Sequence, residues 1–163
     1  MKPKIVIIDV DGVMTTGHFF YSKLGKVFKI FGPHDTDGLN LIKKKIKILF
    51  VTADKKGFGI SKKRIVDDLG YKLIYSHHDT RYDLIKKYGF ENVIYIGDGI
   101  HDAKILKKSK YGISPKNARK EAKKAAMAAS NAFPPDSKIL AAALAVNSWP
   151  AAILPFIVLK LWS

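Results

Sequence analysis

The sequence predicts an α/β domain built on a mainly parallel central sheet. Ile5-Val6-Ile7-Ile8 is a run of four β-branched apolar residues with no polar alternation, the pattern of a strand covered on both faces. Two later runs, Ile46 to Val51 and Asn92 to Gly97, are also rich in strand-forming apolar residues. The runs deliver chemically pointed residues, Asp9 and Asp11 after the first, Thr52 after the second and Asp98 after the third. In open α/β sheets ligands bind in the crevice at the carboxyl ends of the strands, so these positions are the candidate functional ones.

The composition is that of a folded chain: of 163 residues, 47% are hydrophobic and 26% charged. That length predicts one domain over residues 1–163. There is no cysteine, which excludes a disulfide framework or a thiolate metal site and agrees with a reducing cytoplasm. Met1-Lys2-Pro3-Lys4 leads straight into the first strand, so no signal peptide is expected and the predicted location is cytoplasmic. The formal charge is +15, from 29 basic against 14 acidic side chains. Such a field attracts phosphates, nucleic acid and anionic lipid alike; lysine runs such as Lys43-Lys44-Lys45 read as solvated helix faces.

Taken in order, Asp9 and Asp11 are two apart and in extended backbone project to one side, where crowded carboxylates call for a shared proton, a basic partner or a divalent cation. Gly12 permits a sharp turn and free N–H groups near an anion. Residues 16–31 predict a hairpin turning at Ser22-Lys23-Leu24-Gly25; its exposed aromatics need a partner, which other subunits would supply. A helix follows, capped by Thr36 or Asp37, with Leu39, Leu41 and Ile42 facing the sheet. Beyond Thr52-Ala53-Asp54 a helix carries Ser61 near its start and stops at Gly70. Lys72 to Tyr75 is a further strand, His77 and His78 are loop or rim residues, and Arg81 opens a helix closed by Gly89. Asp102 follows Asp98 by one helical turn and shares its face, whereas His101 points elsewhere. Tyr111 to Ser114 predicts a last strand, and Asn117 to Ala129 a helix with solvent-facing cations. From Ile139 to Leu159 no charged residue occurs; Asn147, Ser148, Pro150 and Pro155 interrupt the stretch, so the tail over 139–163 is expected to be buried or subunit-facing, and membrane contact is not expected.

The order Asp9-x-Asp11-Gly12, Thr52, a cation, then Gly97-Asp98-x-x-x-Asp102 resembles the four motifs of the haloacid dehalogenase-like superfamily of phosphotransferases. Arg81 stands where the resemblance places a lysine, and Thr-Ala-Asp stands where it places Thr-Gly-Arg. The gap from Asp11 to Thr52 spans roughly 40 residues and the next holds only a helix and a strand, too little for an inserted cap domain. Capless length, the aromatic hairpin and the Asp35-x-x-Gly38-Leu39 helix entry are similar to the 3-deoxy-D-manno-octulosonate 8-phosphate phosphatase family of lipopolysaccharide biosynthesis and its relatives acting on nine-carbon sugar-acid phosphates. The likeness runs from about Lys4 to Ile113 and fades in the tail.

The resemblance implies a capless, Rossmann-like three-layer sandwich, a small-molecule phosphorylated sugar acid as substrate, and a homotetramer joined through the hairpins. It also implies Mg²⁺ on the Asp9 carboxylate, the Asp11 carbonyl, Asp98 and Asp102. Asp9 would be the nucleophile and Asp11 the acid and base; Thr52 and Arg81, with Gly12 and Ala53, would meet the phosphoryl oxygens. Two alternatives stay open: a capless phosphatase of nucleic-acid 3′ ends, which suits the charge, and a non-catalytic binding or scaffold module of the same fold.

Overall fold

The structure, a computed structural model, describes residues 2–130. Its centre is a parallel sheet of five strands in the order β5-β4-β1-β6-β7, with β1 Ile5–Asp9, β4 Lys47–Thr52, β5 Lys72–Tyr75, β6 Val93–Ile96 and β7 Tyr111–Ile113. A separate antiparallel hairpin, β2 Thr15–Ser22 and β3 Gly25–Phe31, follows β1. The helices are α1 His34–Ile42, α2 Phe58–Lys62 continuing as a wider π-wound segment Lys63–Asp68, α3 His78–Lys86, α4 Ala103–Lys108 and α5 Lys120–Ser130.

The uninterrupted apolar run of β1 is explained by two covered faces. Val6 and Ile8 pack with Leu39 and Ile42 of α1 and Ile65 of the π-wound segment, while Ile5 and Ile7 pack with Ile85 of α3, Leu106 of α4 and Ala122 of α5. Alternate residues thus feed opposite layers, and each fully buried Ile contributes roughly 1.5–3 kcal/mol. The three-layer expectation holds. The chain runs outward from β1 through β4 to β5, then crosses back to β6 and β7 on the other side. That reversal opens a crevice at the carboxyl end of β1 between β4 and β6. Only the hairpin and α1 separate β1 from β4, and only one helical segment separates β4 from β5, so neither gap holds a cap domain.

Several local expectations are corrected. Helix α1 begins at His34 behind Pro33, an N-cap whose side chain has no acceptor, so Thr36 and Asp37 fall inside the first turn instead of capping it. Leu41 is 58% exposed, because at 3.6 residues per turn Leu39 and Ile42 take the inner face and leave it outside. Helix α3 starts three residues before Arg81, with His77 as its N-cap accepting from the Asp79 amide through Nδ1. Asn117 precedes α5, in a turn closed by the Ala118 amide on the Pro115 carbonyl. Asp35 in the first turn of α1 is 0% exposed; burial pushes its pKa up to about 7 against the pull of Arg64 and the backbone bond at Gly32. The tail expectation over 139–163 lies outside the described residues. No helix among the described residues is long and apolar enough to cross a membrane.

Candidate active site

The register brings the motif residues to one edge. Asp9 ends β1 opposite Val51, so Thr52 follows one step later on β4; Ile8 pairs with Ile96, and Asp98 leaves the sheet just past β6. Carboxylate oxygens of Asp9, Asp98 and Asp102 lie within 4.8 Å of one another. Gly12, at φ 85°, passes so close to them that a Cβ there would sit 2.0 Å from Asp98 Oδ2. The Gly12 amide, expected to be free for an anion, instead donates to Thr15 Oγ1 at 3.1 Å.

Arg81, only 2% exposed, reaches this cluster from α3. Its Nη1 lies 3.1 Å from Asp9 Oδ1 and donates to Asp102 Oδ1 at 3.1 Å. Buried Tyr95 of β6 donates to the same Asp102 oxygen at 2.5 Å, and the Gly99 amide donates to Asp102 Oδ2 at 2.9 Å. Asp102 is therefore held on both oxygens, whereas Arg81 Nε has no hydrogen-bond partner. Burial, then the negative charges of Asp102, Asp98 and Asp11, pushes the Asp9 carboxyl well above the usual range, with Arg81 opposing. Burial and Asp102 raise Asp98 to about 6. Burial alone would lower the Arg81 guanidinium; Asp9, Tyr95 and Asp102 outweigh it and raise it.

Asp11, near enough to Asp9 and Asp98 to act on their charges, has partners of its own. The chain curls at Val10, whose carbonyl accepts from the amides of Val13, Met14 and Thr15, and this ends the extended geometry that would align the two acids. Asp11 Oδ2 accepts from Thr52 Oγ1 at 2.9 Å, and its Oδ1 lies 2.7 Å from Lys29 Nζ on β3. Lys29 also pairs with Asp54 at 2.9 Å and donates to Ser61 Oγ at 2.8 Å, and Lys26 pairs with Asp54 as well. Burial would raise Asp54, yet these lysines and the Gly57 amide hold it down to about 2. Thr52 is wholly buried, its hydroxyl bonded to Asp11 and accepting from the Asp54 amide. Ala53 is half-buried beside it.

The sequence reading missed Lys29, Tyr95 and Asn117, whose Nδ2 donates to the Gly12 carbonyl at 3.1 Å. A phenol inside a doubly covered strand needs a polar partner, and that signal would have found Tyr95. His101, expected to stand apart, is exposed and stacks on His78 with ring centroids 4.2 Å apart.

The acidic cluster fits a hard divalent cation. Three carboxylates face one guanidinium, Asp9 Oδ1 is buried without a hydrogen bond, and an all-oxygen donor set is what Mg²⁺ binds.

A family model described as haloacid dehalogenase-like hydrolase matches residues 83–132. The chain is 36% identical over 101 residues to the 3-deoxy-D-manno-octulosonate 8-phosphate phosphatase of Haemophilus influenzae, covering 58% of this chain and 55% of that protein. It therefore spans about half the length of the curated relative it matches. The structure of the same enzyme from Moraxella catarrhalis, in complex with magnesium, phosphate and a KDO molecule, superposes with a TM-score of 0.62 at 28% identity over 74% of this chain and 71% of that one. The cobalt-bound Haemophilus influenzae enzyme superposes with a TM-score of 0.68 at 22% identity, over 98% and 88%, which shows the shared fold.

Proposed function

We propose that the chain is a haloacid dehalogenase-like hydrolase, and on that premise a Mg²⁺-dependent phosphomonoester hydrolase with Asp9 as nucleophile. The observation that carries the reading is the convergence of Asp9, Asp98 and Asp102 beside Arg81 at the carboxyl end of β1. Asp9, Asp98 and Asp102 would hold the cation, which when bound neutralises charge on the phosphoryl oxygens. Asp9 attacks phosphorus in line, the bond to the leaving oxygen breaks, and an aspartyl-phosphate forms. Asp11, entering the step in its acid form, gives its proton to the leaving oxygen, then takes one from the water that attacks the intermediate, so that alcohol and inorganic phosphate leave and both acids are restored. Arg81 presents its unpartnered Nε as a donor beside the reacting group.

The substrate proposed is a phosphorylated eight- or nine-carbon 2-keto-3-deoxy sugar acid, supported by the names of the related phosphatases and by a site with no cap. The hairpin supports self-association, as a homotetramer, because Phe20, Tyr21, Leu24 and Phe28 are exposed on it. The charge of +15 favours one competing substrate, a nucleic-acid 3′-phosphate. Phosphate release from 3-deoxy-D-manno-octulosonate 8-phosphate and from a 3′-phosphorylated oligonucleotide, each with Mg²⁺ and with chelator, tests both. Chelator-sensitive release from the sugar acid alone is expected; release only from the oligonucleotide replaces the substrate, and release from neither, or release that chelator leaves unchanged, defeats the proposal.

A further inference from the structure

We propose that Lys29 is a positioning residue that fixes the Asp11 carboxylate for proton transfer to the leaving group, an inference that rests on the phosphatase reading above. Strand β3 is inside out. Val27, Phe28 and Ile30 are exposed, while the Lys29 side chain between them is 0% exposed. Removing an ammonium from water costs several kcal/mol unless opposite charge and hydrogen bonds replace the lost hydration. Lys29 Nζ donates to Ser61 Oγ at 2.8 Å and ion-pairs with Asp11 Oδ1 at 2.7 Å and Asp54 Oδ2 at 2.9 Å. Three protein oxygens crowd the ammonium, which separates Lys29 from a lysine open to a phosphoryl oxygen.

The partners show what the arrangement does. Asp11 sits on the turn after β1, whose amides close on the Val10 carbonyl. Lys29 holds one oxygen and Thr52 the other, so the plane of the carboxylate is fixed by two points from two different elements. Asp54 and Ser61 anchor Lys29 in turn, with Lys26 steadying Asp54 from the same strand. The hairpin is thereby fastened to the acid that serves the leaving group. Removing Lys29 leaves Asp11 hinged on Thr52 alone.

A general acid matters in proportion to how poor the leaving group is, so positioning of Asp11 has a signature that overall fold damage lacks. The experiment measures kcat and KM of wild type, Lys29→Met and Lys29→Arg with Mg²⁺ on p-nitrophenyl phosphate and on a primary alkyl sugar phosphate. The expected result for Lys29→Met is a fall in kcat of about 100-fold or more on the alkyl substrate and under about tenfold on the aryl one, with KM nearly unchanged. Lys29→Arg should recover part of the alkyl activity by restoring a donor to Asp11. Equal losses on both substrates, or a shared rise in KM, would overturn the assignment, the latter because it marks phosphate contact. If Lys29→Met does not fold, Lys29→Arg decides: a loss confined to the alkyl substrate supports positioning, and a uniform loss or none refutes it. Wild-type protein inactive on both substrates would instead count against the phosphatase reading.

Discussion

Two buried charged clusters flank the end of β1, and their sums differ. Asp9, Asp98 and Asp102 face Arg81, leaving two negative charges in excess; Asp11 and Asp54 face Lys26 and Lys29, leaving none. In a partly desolvated site excess charge is costly, and here it appears as the raised carboxyls of Asp9 and Asp98, whereas Asp54 in the balanced cluster is held low. The unbalanced set is the one proposed to take a divalent cation and a phosphoryl group together. The balanced set is a fixture that keeps its members in place.

Four measurements break or sharpen that contrast. Asp9→Asn removes the nucleophile from the unbalanced set, and turnover of any phosphomonoester should fall by at least about 10³-fold; retained activity in a steady-state assay would end the nucleophilic role. Asp35 extends the contrast to a buried acid whose desolvation outweighs Arg64 and the backbone bond at Gly32. Its folded pKa of about 7 lies above the ordinary carboxyl value of 3.8, so the unfolded chain releases the proton first and the wild type loses stability as pH rises between those values. Asp35→Asn should match wild type below about pH 4 and exceed it by on the order of a few kcal/mol above pH 7. Denaturant midpoints that run parallel across that range would contradict the assignment.

Tyr95→Phe leaves the charge count alone but frees one oxygen of Asp102, and titration calorimetry should find Mg²⁺ bound about 10–100-fold more weakly. Unchanged affinity would mean that Arg81 and the Gly99 amide suffice. Phe28→Glu acts on the outer face of the hairpin, where Phe28 is 66% exposed. Sedimentation should show weakened self-association with the fold intact, and an unaltered profile would remove the hairpin from the interface.

The sheet was readable because a strand covered on both faces writes itself as a continuous apolar run, and its end is marked by the first polar residue. Asp9, Thr52 and Asp98 were found that way, and their meeting follows from parallel register. What escaped depended on details that periodicity does not carry. The curl at Val10 gives Asp11 partners that Asp9 does not share, Thr52 and Lys29. Lys29 was hidden because a lysine in an alternating strand reads as the exposed half of the pattern; here the aromatics are outside, and only its reach to Asp11 and Asp54 reveals the inversion. Arg81 was placed in the site by motif order, since a cation in the first turn of a helix otherwise faces water.

The bond from Asn117 to the Gly12 carbonyl joins positions 105 residues apart, and the Arg119 amide likewise closes on the Asp98 carbonyl. A ribosome therefore releases the loop after β1 long before the residues that brace it. Until β6 emerges, β1 offers one unpaired edge, and the nascent domain carries an open strand flanked by an aromatic hairpin. Early folding of this chain is consequently its most aggregation-prone interval, and chaperone demand during synthesis should peak before residue 93 has cleared the exit tunnel.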